Sequence, residues 1–95
     1  VTIESTLSER HARYGRFSEH AVIAQGLQDV MRASAGWGRL AFDQKQALTT
    51  ISDKIARMLN GDPDYADNWH DIIGYAKLVE DRLLKRGLHA GQETS

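Results

Sequence analysis

The sequence predicts an all-α domain, a small helical bundle built on an antiparallel helix hairpin. Apolar residues recur at helical spacing through residues 40–86, in two runs broken by Gly61-Asp62-Pro63-Asp64. Pro63 is the only proline, and long β-branched runs are absent, which favours helix over strand. Gly15, Gly36 and Gly61 stand where helices should stop. A chain of 95 residues makes one domain with a modest core, so a partner surface is expected.

Taken in order, Thr6 and Glu9 fit a capping box. The helix they open is short, about residues 7–13, and Gly15 ends it. Arg10, Arg13 and Arg16 form either a solvated face or a phosphate contact, because guanidinium forks match phosphate oxygens. Ser18 is the expected N-cap of the second helix, with Phe17 and Val22 as a hydrophobic staple. Val22, Ile23, Leu27, Val30 and Met31 mark its apolar stripe, and it should end near Ser34. Trp37, between two glycines, is expected to lid the core.

The third helix should start near Ala41 to Asp43 and run to Leu59 or Asn60, with Leu48, Ile51, Ile55, Met58 and Leu59 as its stripe. Gly61 stops it, and Asp62-Pro63-Asp64 turns the chain. The fourth helix should run from about Ala66 to Lys85, closed by Gly87. Its stripe is Trp69, Ile72, Ile73, Ala76, Val79 and Leu83. Residues 1–88 then form the single domain, and 89–95 a disordered polar tail.

Twelve Lys and Arg against thirteen Asp and Glu leave a net charge of −1, so no global field favours nucleic acid or a membrane surface. Cysteine is absent, which removes disulfide and thiolate chemistry. No apolar run reaches the roughly 18 residues of a membrane span, and no signal-like segment opens the sequence. The expectation is a cytoplasmic protein without a membrane partner. Tyr75, Leu78 and Leu84 lie off the main stripe of the fourth helix, and that surplus apolar surface predicts a homodimer.

The polar residues that stand out sit on the hairpin. Folding it about Asp62-Pro63 brings Asp71 level with Ile55, within a turn of Lys54. It brings Asp67 level with Leu59, within a turn of Arg57. Asp67 and Asp71 share a face, as do Asp53 and Arg57. Three readings of this cluster stand side by side. It is a salt-bridge network that fixes register, a magnesium site of facing carboxylates, or a phosphate pocket of Lys54 and Arg57 oriented by the aspartates. His70 and Asp67 make an i, i+3 pair, a spacing too common to define a zinc site.

The run KIARMLNGDPDYADNWHDIIGYAKLVEDRL, with RYGRF upstream and DQKQAL just before it, resembles a family of small phage and prophage proteins. The resemblance covers roughly residues 9–85. More distantly the chain is similar to the MazG-like all-alpha NTP pyrophosphohydrolases, in which an E-x-x-E pair and an E-x-x-D pair hold Mg²⁺. The resemblance implies a dimer in the bacterial host cytoplasm that uses Mg²⁺ on a nucleoside triphosphate. Asp67 and Asp71 correspond to the second pair, here four apart. The first pair falls on Gln46-Ala47-Leu48-Thr49, where relatives read close to E-A-L-E. An amide and a hydroxyl are weaker magnesium ligands than two carboxylates. Asp53, one turn on, is the substitute, so the implied metal set is Asp53, Asp67 and Asp71, with Lys54 and Arg57 on phosphate. The alternative is a non-enzymatic interaction module that keeps the fold for a host or phage protein partner.

Overall fold

The computed structural model describes residues 2–94, and their side chains as far as residue 85. The elements are α1 (Ile3–Tyr14), α2 (Phe17–Ala33), a 3-10 turn (Trp37–Arg39), α3 (Phe42–Asn60) and α4 (Ala66–Thr94). No strand occurs among the described residues, so the chain is all-α as the sequence predicts. α4 continues to Thr94, past the end expected near Lys85 and Gly87, and the side chains of residues 89–95 lie outside those described.

The first helix starts earlier than expected. Thr2 is its N-cap: Thr2 Oγ1 accepts the Ser5 N–H at 3.1 Å and Ser5 Oγ accepts the Thr2 N–H at 3.2 Å. That reciprocal pair outcompetes Thr6 and Glu9, because Thr6 Oγ1 instead donates to the Thr2 carbonyl. Gly15 ends α1 at a positive φ of 76°, a conformation that glycine adopts without cost. α2 begins one residue before Ser18, with Arg16 in the N-cap position and no side chain capping the helix. Phe17 and Val22 are both exposed, so they do not form the expected staple.

α3 is the central helix. α2 packs along one side of it and α4 along another, while α1 crosses the end of α3 and the start of α2. The second helix therefore packs on α3 rather than across the whole hairpin. Two ion pairs define the antiparallel register of α3 and α4: Lys54 with Asp71, and Asp43 with Arg82. α3 opens with the Gln44 side-chain oxygen accepting the Ala41 N–H at 2.8 Å. It closes where the Gly61 N–H reaches the Arg57 carbonyl.

The buried faces differ from the expected stripes. On α2 the buried residues are His20, Ala24 and Gln28, at i, i+4 and i+8. On α3 they are Ala47, Ser52 and Ala56. Small side chains at a helix contact let the axes approach closely, so α2 and α3 meet through alanine and serine. Val22 and Val30, placed inward from the sequence, are exposed, as are Leu48 and Leu59. Ile51, Ile55, Ile72 and Val79 are half-buried between α3 and α4, whereas Ala76 is exposed. Trp37 is half-buried in its 3-10 turn.

Candidate functional site

Two glycine turns far apart in sequence meet at one end of the molecule. The Asp62 N–H donates to the Arg13 carbonyl at 2.7 Å. Asn60 Nδ2 donates to the Tyr14 carbonyl at 2.8 Å and to the Arg16 carbonyl at 2.9 Å. A β-carbon at Gly61 would collide with the Arg13 carbonyl, and one at Gly15 with the Asn60 carbonyl. Side chains extend this clasp. Arg13 pairs with Glu9 at 2.8 Å and donates to the Tyr65 hydroxyl at 2.9 Å. That hydroxyl donates to Asp67 Oδ2 at 2.7 Å, and the carboxylate raises the Tyr65 pKa by holding its proton. Trp69 Nε1 donates to the Pro63 carbonyl at 2.8 Å.

Beside the clasp, the α1–α2 elbow and α3 enclose a cleft of about 350 Å³. Leu7, Tyr14 and Phe17 form apolar walls, while Arg10, His11 and Arg57 bring cationic or protonatable nitrogen. The Arg10 and Arg57 guanidiniums stand 5.2 Å and 4.6 Å from the Tyr14 ring centroid, cation–π distances for both. His20 and Asp53 complete the lining, with Nε2 2.9 Å from Oδ1. An ionised carboxylate only accepts, so His20 Nε2 is the donor. His20 is 7% exposed, and its Nδ1 is buried without a partner.

The charged residues singled out on the hairpin separate into three groups. Lys54 Nζ lies 3.1 Å from Asp71 Oδ2, joining α3 to α4 as the fold-back of the hairpin predicts. Asp53 instead meets His20 of α2 and Arg57, the latter at 3.5 Å. Neighbouring residues on a helix point about 100° apart, so Asp53 and Lys54 address different partners. Asp67 is engaged with Tyr65 rather than with Arg57, whose guanidinium turns to Tyr14. Among the described residues, no three His, Cys, Asp or Glu side chains converge on a point a metal could occupy. Gln46 and Thr49 are occupied locally, with Thr50 Oγ1 and the Lys45 carbonyl. Asp53, Asp67 and Asp71 thus face different partners: His20 and Arg57, Tyr65, and Lys54.

Residues 2–83 match the family described as a domain of unknown function, DUF6378. The chain belongs to that family. Comparisons with curated proteins and with solved structures give no match. The family match covers both halves of the clasp, the Arg13-Tyr14-Gly15 and Asn60-Gly61-Asp62 segments. In this DUF6378 domain those motifs have a structural role, because their backbone atoms bond each other. Sequence reasoning missed His20, Asn60 and the pairing of the two turns. The only available signal was the repetition of a polar or aromatic residue before glycine, at Tyr14-Gly15 and Asn60-Gly61. No helix of the described chain is long and apolar enough to cross a membrane.

Proposed function

We propose that this chain is a non-hydrolytic interaction module, a phage or prophage accessory domain of MazG-like type whose first partner is a second copy of itself. The observation that carries this reading is the missing aliphatic core. Among the described residues, the buried hydrophobic ones are Ala24, Ala47 and Ala56 alone. Leu59, Trp69, Ile73 and Leu78 are exposed.

The surface that fits self-association is the groove between α3 and α4. Its volume is about 460 Å³, and Ile51, Ile55, Met58, Leu59, Trp69 and Ile72 line it with apolar surface. The metal-dependent pyrophosphohydrolase reading has less support. The aspartates it requires are divided among His20, Lys54 and Tyr65.

Light scattering at high micromolar concentration should give a dimer mass. Leu59→Glu places a charge on a side chain that is exposed in the monomer, so it should leave helicity intact and yield a monomer. A monomer mass for the unaltered chain overturns the proposal. For the hydrolase alternative, millimolar Mg²⁺ should not shift the melting temperature, and no common triphosphate should release pyrophosphate. Rapid release that is lost in Asp71→Asn would establish the enzyme instead.

A further inference from the structure

We infer that the cleft between the α1–α2 elbow and α3 binds a small aromatic anion, a flat ring carrying a phosphate or carboxylate group. The cleft has the size of a small-ligand pocket at about 350 Å³. Its charge is unbalanced. Arg10 has no carboxylate partner among the described residues, and the one carboxylate in the lining, Asp53, is shared between His20 and Arg57. The Arg57 to Asp53 contact is 3.5 Å, longer than a charge-assisted hydrogen bond, which leaves guanidinium donors for a ligand.

The walls ask for a ring. Phe17 is 80% exposed at the cleft and stacks on His20, with centroids 5.9 Å apart and planes 23° from parallel. The Tyr14 ring lies in the same lining, beneath Arg10 and Arg57. A flat ring against Phe17 covers aromatic surface that is otherwise wet, with the Tyr14 ring and its two guanidiniums beside it. Its anionic group meets the two guanidiniums. His20 is the fixed part of the wall: it is more than nine-tenths buried, and its Nε2 donates to Asp53 at 2.9 Å.

Inorganic phosphate satisfies only the charge, and phenol only the walls, so the two parts of the ligand are separable. Phenyl phosphate, benzoate, inorganic phosphate and phenol should be titrated into the intact chain, followed by calorimetry and by NMR shifts of Tyr14, Phe17 and His20. Phenyl phosphate or benzoate should bind at least tenfold more tightly than inorganic phosphate or phenol, and the two aryl anions report which head group is preferred. Arg10→Ala, outside the clasp and on an exposed side chain, should keep the fold and weaken binding roughly tenfold or more. Arg39→Ala, away from the cleft, should not. Equal binding of inorganic phosphate and phenyl phosphate, no binding of either aryl anion at 10 mM (about the weakest affinity of interest), or an Arg10→Ala chain that binds unchanged, overturns the proposal. The cleft lies on the α2 side of α3, so these outcomes do not depend on whether the α3–α4 groove forms a dimer.

Discussion

Gly61 and Gly26 make opposite demands on their surroundings. Gly61 sits against the Arg13 carbonyl, where no β-carbon fits. Gly26 lies inside α2 with open space around it. Gly61→Ala should therefore cost about 1–3 kcal/mol through forced separation of the two turns. Gly26→Ala should stabilise the chain by about 0.5–1 kcal/mol, because alanine loses less freedom in a helix. Urea denaturation of both variants tests the pair, and a Gly61→Ala chain as stable as the unaltered one would show that the clasp is not tight. Sequence reasoning placed Gly61 correctly as a helix stop. Its packing role depends on a carbonyl nearly fifty residues earlier, and no local pattern reports that.

At the level of helices, the ion pairs between α3 and α4 set register more than they add stability. The Arg82 guanidinium donates to both carboxylate oxygens of Asp43, one bond measuring 2.9 Å, and holds the Asp43 carboxyl below the usual carboxylate range. A lowered folded pKa means stability that is fully present above the unfolded value, near 3.9, and lost as pH falls through the folded one. Both side chains are partly exposed, so solvent and salt reduce the effect. The melting temperature of the unaltered chain should exceed that of Asp43→Asn by a constant margin from pH 7 to about 5. That margin should then shrink as acidification carries the chain through the lowered folded pKa of Asp43 and its carboxylate is protonated. A margin independent of pH would mean that Asp43 contributes through packing alone. The antiparallel hairpin and the Lys54 to Asp71 pairing were legible because reflection about Asp62-Pro63 is simple geometry. The contact face of α2 was not, because His20, Ala24 and Gln28 carry almost no hydropathy signal. The more apolar Val22 and Val30 drew the stripe to the wrong side.

For the whole molecule, the exposed apolar side chains Leu59, Trp69, Ile73 and Leu78 dominate the expected behaviour. A protein that covers its apolar face with a second copy gains stability by mass action. Its melting temperature should therefore rise with protein concentration, and the rise should vanish in Leu59→Glu. A melting temperature that is constant over a hundredfold range, on the order of the span that mass action resolves, would indicate a self-sufficient monomer. The family-level fold was readable from periodicity because four helices need only local cues. The candidate ligand cleft was not, because its walls come from α1, α2 and α3 and its most buried member is a histidine.

The clasp also orders events in time. The α3–α4 hairpin is closed by a short turn, whereas the Asn60 bonds span 44 and 46 residues. Closing the longer loop costs more chain entropy, so the hairpin can assemble before the two glycine turns dock. Interactions that form after the rate-limiting step affect escape from the native state more than arrival at it. Asn60→Ala, which removes two donors to backbone carbonyls, should accelerate unfolding severalfold in stopped-flow chevrons and leave the refolding limb nearly unchanged. A slowed refolding limb would instead place the clasp in the nucleus, and the elbow between α1 and α2 would then be where folding begins.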